Sequence, residues 1–380
     1  MAVHDAGVRF SLKDELFNPK KIAYLASLFQ SSDSSFAASK FVKQCVTSLV
    51  DLELKQRIVH IAATLENFLS KDFGTAAQQI VAALPPPLDP SQTDNDFGDF
   101  IFAPLGEFVV RNGLAKRQLA LSLRTLRQLT QRFSMEDAIR AFLSEHCEQT
   151  LRVLERWTRD KSYHVRRLVS EGTRPRLPWS QRIEIDSSLT LPLLDQLHAD
   201  PTRYVTRSVA NHLNDITKTH PDVAISRLDG WRKLGKQSAV ELEWMARHSL
   251  RTLVKQGDTN ALRLLGYAAS PGLEVSGFKV QNSSIRFGDA LEFSFTLKAQ
   301  RDEQLIVDYV IDFVKSNGSL APKVFKIKKL SLKKGAAVLV SKRHLLLSNA
   351  TTYKLYPGTH FVRLQINGQA YGTQPFQLQA

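Results

Sequence analysis

Cysteine is scarce in this chain: there are two, Cys45 and Cys147, among 380 residues. Two cannot build a disulfide framework, and neither stands in the CxxC spacing of a zinc site, so a reducing, cytoplasmic setting is expected. Long apolar runs are missing as well. None approaches the roughly 20 residues that span a bilayer, and "MAVHDAGVRFSLKDELF" contains no signal-peptide apolar stretch. No GxGxxG, P-loop, HExxH or GxSxG pattern occurs, which leaves dinucleotide, ATP-driven and triad chemistry without support. His146 and Cys147 in "SEHCEQ" lack metal-ligand spacing and read as structural. Negative charge is the most telling shortage. There are 37 Asp and Glu against 51 Lys and Arg, a net +14. Such a field favours polyanions, nucleic acid first and an anionic membrane surface second.

What is present divides into two textures. Residues 1–270 carry helical apolar patterns, interrupted by the Pro/Asp/Ser-rich stretch "LPPPLDPSQTDNDFGD" at 84–99, which reads as a loop. Within them a repeat emerges. "YHVRRLVSE" (163–171), "RYVTRSVAN" (203–211) and "EWMARHSLR" (243–251) align at a spacing of 40 residues. Val165, Val205 and Met245 coincide, as do Arg167, Arg207 and Arg247, and His164, Tyr204 and Trp244; Asp160 and Asp200 fall in step upstream. A period near 40 with two helices per unit indicates a HEAT-like α-solenoid, in which stacked helical pairs bury a continuous core. The arginine column then lies on equivalent faces, either as a basic stripe for phosphates or as bridges between repeats.

From residue 271 to 380 the chain turns to short alternating runs between Gly, Asn and Ser turns, the habit of an antiparallel β-sandwich of about seven strands. "INGQ" at 366–369 is a type I′ hairpin signal. This part holds 15 basic against 7 acidic residues. Lys326 and Lys328 in "KVFKIKK" could grip phosphates or simply protect a sheet edge. The expected architecture is mainly α: a helical domain over 1–270, then a β-sandwich over 271–380.

One carboxylate stands out in "HVRRLVSEGTRPRLPWS". Glu171 closes an apparent helix, where the dipole prefers a cation, amid Arg166, Arg167, Arg174 and Arg176, with Trp179 following. A carboxylate on a surface built for phosphates weakens binding unless it has a task. Asp215 in "VANHLNDI" and Glu136 in "FSMEDAIR" are further candidates, each with a plain alternative as an ion-pair partner or first-turn charge. Carboxylates beside an aromatic wall suit a substrate that is cationic or becomes so in the transition state.

"YHVRRLVSEGTRPRLPWS" and "RYVTRSVANHLNDITKTHPD", with the N-terminal "LKDELFN", closely resemble the AlkC-type DNA alkylation repair proteins of bacteria. These belong to the HEAT-like-repeat glycosylases that also include AlkD, and some carry a C-terminal immunoglobulin-like domain. The resemblance covers nearly the whole chain. It implies a monofunctional glycosylase that removes cationic N3-alkylated bases, 3-methyladenine and 3-methylcytosine, from duplex DNA without metal or organic cofactor. It also implies that the lesion is recognised while largely stacked, unlike the usual base-flipping route. Combined with the local reasoning, it points to Glu171, Asp215 and Glu136 as catalytic. Trp179 and Arg167 would contact substrate, and Arg166, Arg174, Arg176, Arg207, Arg247, Lys326 and Lys328 would contact DNA. A monomer in the cytoplasm, associated with the nucleoid through DNA and not with membrane, is expected. The rival is a non-catalytic scaffold that binds DNA or a partner protein.

Overall fold

The computed structural model describes residues 11–92, 94, 96–178, 180–348, 350 and 353–380. A short α1 (Leu12–Leu16) leads to α2 (Pro19–Ser32), whose start shows why these segments are helical. Asn18 accepts the backbone N–H of Lys21 at 3.0 Å, Pro19 occupies the first turn, and Ile22, Leu25, Ala26 and Phe29 form one buried stripe. The series continues through α3 (Ala38–Thr47), α4 (Leu54–Leu65), α5 (Phe73–Ala82), α6 (Ala103–Gly113) and α7 (Leu119–Leu129). It goes on to α8 (Ala138–Glu145), α9 (Cys147–Trp157), α10 (Tyr163–Gly172), α11 (Ser187–Leu197) and α12 (Arg203–Ile216). The last four are α13 (Pro221–Leu234), α14 (Ala239–Ser249), α15 (Arg251–Gln256) and α16 (Thr259–Leu264).

The three aligned segments fall on α10, α12 and α14. A recurring bridge accompanies them. Arg127 Nε binds Asp160 at 2.6 Å, Arg166 Nε binds Asp200 at 2.5 Å, and Arg203 Nε binds Glu241 at 2.8 Å. Asp160 and Asp200 also accept the backbone N–H two residues on, from Ser162 and Thr202, each at 2.9 Å. Each acid thus orders the turn before its helix while holding an arginine from the preceding repeat.

Eight strands follow among the described residues: β1 (Leu273–Val280), β2 (Ser284–Arg286), β3 (Ala290–Ala299), β4 (Glu303–Val314), β5 (Leu320–Leu332), β6 (Ala337–Leu345), β7 (Gly358–Ile366) and β8 (Gln369–Gln379). They form two sheets, β1-β3-β6 and β2-β8-β7-β4-β5. Alternate residues supply the core between them, such as Leu291, Phe293, Phe295 and Leu297 on β3 and Leu305, Val307, Tyr309 and Ile311 on β4. One pairing departs from the antiparallel expectation. The three-residue β2 runs parallel to β8, and a strand that short carries too little alternation to be read from sequence.

The chain divides into two compact units: residues up to Ile216 with Leu234–Glu241, and Thr217–Lys233 with Leu242–Ala380. Helix gives way to strand at Leu273, and the last helices group with the sandwich. The hairpin at 366–369 provides the joint. Asn367 and Gly368 take φ of 45° and 79°, as a type I′ turn requires. The buried Asn367 side chain donates to Ala268 and Gln304 carbonyls, both at 3.1 Å, and accepts the Ile306 N–H at 2.8 Å. Gly257, which ends α15, lies so close that a Cβ there would stand 2.8 Å from the Gly368 Cα.

Asp308 on β4, opposite Lys326 on β5, is buried, and burial pushes its carboxyl up to about 6 against the pull of Lys326, Lys255 and Lys329. A raised carboxyl favours folding below its unfolded value of about 4, and that contribution is lost as pH rises through the folded value. Asp308→Asn is therefore expected to raise Tm at pH 8 and to change it little at pH 4, measured by calorimetry at both.

Candidate active site

Helix α10 is buried on almost every side; of its ten residues all but Arg166 are buried. Its neighbours explain how it fits. Gly172 has no room for a side chain, since a Cβ would meet Ile139 Cγ2 of α8 at 2.4 Å. α12 packs directly beside it. The last turn of α10 therefore brings Glu171 deep into the interior, 4% exposed, facing α12.

Glu171 sits in an ion cluster. Its Oε1 accepts from Arg174 Nη1 at 2.5 Å, its Oε2 accepts from the Ser208 hydroxyl at 2.6 Å, and Arg167 Nη2 approaches Oε2 at 3.7 Å. Arg174 also donates through Nε to Asp215 at 2.9 Å, so one guanidinium joins the two carboxylates. Arg167 joins a third: its Nη1 donates to Glu136 and to the Ser134 hydroxyl, each at 2.9 Å. Ser134 in turn donates to Glu136 at 2.7 Å. The structure thus brings together Glu171, Asp215 and Glu136 through two buried arginines.

Electrostatics fix the protonation states. Burial alone would raise the Glu171 carboxyl, but Arg167, Arg174 and the Ser208 hydroxyl outweigh it and hold the group below the usual carboxylate range. His212 donates to the Ser170 carbonyl at 3.1 Å and is pulled down to about 4 by burial. His164, 3.9 Å from Asp96, is likewise lowered to about 4 by burial and by Arg167. Near neutral pH Glu171 is therefore ionised, beside neutral imidazoles at positions 164 and 212.

The acidic stretch at 84–99 reaches this place too. Asp94 pairs with Arg207, and Tyr163 donates its hydroxyl to the Gln92 carbonyl. The half-exposed Phe97 lies edge-on to Tyr204, centroids 5.4 Å apart, and Arg167 stands 4.6 Å above the Tyr204 ring. Gly98, at φ 76°, turns the chain where a Cβ would strike the Arg132 carbonyl at 1.9 Å.

The expected DNA contacts divide. Arg166 is held by both Asp200 oxygens, at 2.5 and 3.1 Å, and by the Asp160 carbonyl. It bridges one repeat to the next in place of the expected DNA contact, because the buried Asp200 takes up its guanidinium. Arg174 is buried between carboxylates, in a place set by tertiary packing and not on an open phosphate-binding face. Arg176 is exposed, Arg207 is partly exposed, and Arg247 is half-exposed and paired with Glu243 at 2.8 Å. Lys326 is exposed and Lys328 half-buried on β5, an edge strand. Trp179 lies outside the described residues. Sequence reasoning missed Ser134, Ser208 and the reach of the 84–99 loop. Ser208 left a faint signal, a hydroxyl where the aligned helix has Leu168.

Residues 274–380 match the family described as "Uncharacterised protein YhaZ, C-terminal Ig-like domain". Over 368 residues the chain is 33% identical to the "Uncharacterized protein YhaZ" of Bacillus subtilis (strain 168), covering 96% of this chain and 98% of that protein. The solved structure of an alkylpurine DNA glycosylase AlkC from Pseudomonas fluorescens, bound to DNA containing an abasic site analogue, superposes with a TM-score of 0.86 at 35% identity. It covers 98% of this chain and 100% of that one.

The bridging place of Arg166 has a measurable consequence. Arg166→Met strands a buried Asp200, so chemical denaturation is expected to show a loss of about 3 kcal/mol.

Proposed function

The chain belongs to the AlkC-type family that includes YhaZ, and from that premise we propose that it is a monofunctional DNA glycosylase. It hydrolyses the N-glycosidic bond of cationic N3-alkylated bases, 3-methyladenine and 3-methylcytosine, in duplex DNA, as the first step of base excision repair. It works as a monomer in the bacterial cytoplasm.

The observation that carries this reading is the buried, ionised Glu171 joined to Asp215 and Glu136 through arginines. An alkylated base that is already cationic leaves as a neutral molecule and needs no general acid. This cluster suits that requirement, because its carboxyl at 171 is held ionised and its two histidines are held neutral. What the reaction does need is negative charge beside the sugar as it becomes oxocarbenium-like, and an oxygen that orients or deprotonates water. Glu171 supplies both, with Asp215 and Glu136 adding to the negative potential. A neutral base would leave from this site as an anion beside carboxylates, which disfavours it. Narrow selectivity follows.

Arg167 fixes Glu136 near Glu171 and presents its guanidinium to the rings of Phe97 and Tyr204. Arg176, Arg207, Arg247, Lys326 and Lys328 hold the phosphate backbone, and Arg207 exchanges Asp94 for a phosphate as the duplex arrives. The ion pairs of Glu171 also favour a second reading, a scaffold that binds DNA and cuts nothing.

Incubating the protein with methylated duplex DNA and chromatographing the released bases separates the two. Release of 3-methyladenine is expected, and its absence would leave only the scaffold. Glu171→Gln should lower single-turnover excision by about 10²–10³-fold while duplex affinity holds or rises, as a phosphate-repelling charge is lost. Because Glu171 is held below the usual carboxylate range, it stays ionised above that range. The excision rate should therefore be flat from pH 6 to 9 and fall only as acid protonates it.

A further inference from the structure

Arg140 on α8 has no part in the reading above, and its surroundings are unusual. It is 0% exposed, yet no carboxylate lies within ion-pair distance of it among the described residues. Its guanidinium instead meets three backbone carbonyls. Nη1 donates to Gly172 at 3.1 Å and to Arg174 at 2.8 Å, and Nε donates to Gln181 at 2.8 Å. Nη2 is buried and makes no hydrogen bond among the described residues.

Burying a cation without a contacting counter-ion is expensive. A neutral amide could tie down a loop at lower cost, so the charge itself has a use. Two uses coincide at this position. The carbonyls of Gly172 and Arg174 lie at the C-terminal end of α10, where the helix dipole is negative and Glu171 adds a full negative charge. A guanidinium set there offsets both. The same three bonds also hold the turn from Gly172 to Gln181, whose Arg174 carries the side chain that joins Glu171 to Asp215. A cation with fixed fork geometry meets both needs at once.

We propose that Arg140 is a positioning residue for base excision: through the Gly172, Arg174 and Gln181 carbonyls it holds Glu171 and the Arg174 bridge in their working arrangement. It touches neither base nor sugar and acts through the backbone of those residues. The inference rests on the glycosylase reading, and its test keeps the two apart.

Single-turnover release of 3-methyladenine and affinity for a duplex bearing an abasic analogue are measured for the parent protein, Arg140→Gln and Arg140→Lys, alone and combined with Glu171→Gln. Thermal unfolding is followed for every variant. Arg140→Gln is expected to slow excision by about 10–100-fold, the scale of a misplaced catalytic group, with duplex affinity within about twofold. Arg140→Lys, which keeps the charge and is the variant to use if Arg140→Gln does not fold, should recover part of the rate. The loss should shrink to about twofold or less once residue 171 is already Gln, because a residue acting through Glu171 has nothing left to position. A folded Arg140 variant with the parent rate would overturn the inference, as would a loss undiminished beside Glu171→Gln. Absence of base release by the parent protein would instead overturn the glycosylase reading.

Discussion

The structure turns on one constraint: a carboxylate held ionised where burial opposes it. Glu171 is 4% exposed and stays charged because Arg167, Arg174 and Ser208 surround it. Removing water from a charge is costly, and only close partners with good geometry offset that cost. Much of the architecture nearby serves this requirement. Gly172 lets α10 approach α8, α12 brings Ser208 and Asp215, and the turn after α10 returns Arg174 between the acids.

The helical repeat explains how such a cluster is assembled from distant segments. Glu136, Glu171 and Asp215 are about 40 residues apart in steps along the chain, in the turn before α8, on α10 and on α12. Bridges of one kind, Arg127 to Asp160, Arg166 to Asp200 and Arg203 to Glu241, set each pair against the next. Because the bridging arginines are consumed inside the fold, the repeat's positive charge separates into two populations. One part is structural, and the other, including Arg176, is exposed at the surface.

A comparable economy appears in the sandwich. The lysine-bearing β5 and β6 each lie at a sheet edge, where unpaired backbone would otherwise recruit another strand. Lysine there discourages edge pairing and adds to the positive field in the same stroke. At the tip of the β7–β8 hairpin, Asn367 and Gly368 pack against Ala268 and Gly257, tying the last helices to the sandwich.

Much of this was legible in residue order. The alternation of Leu291, Phe293, Phe295 and Leu297, the Asn-Gly turn and the 40-residue spacing all reflect local periodicity, which a linear sequence states directly. Glu171 stood out for a local reason as well, since an acid at a helix C-terminus opposes the dipole. What tertiary structure alone decided is which arginine meets which acid. Arg166 and Arg167 are neighbours in sequence, yet one bridges to Asp200 and the other to Glu136, because successive helix positions point about 100° apart. Nor does any local signal reveal that Arg174 is buried between Glu171 and Asp215, or that Asp94 reaches Arg207. Those pairings depend on distances between segments far apart along the chain, which exist only once the helices have packed.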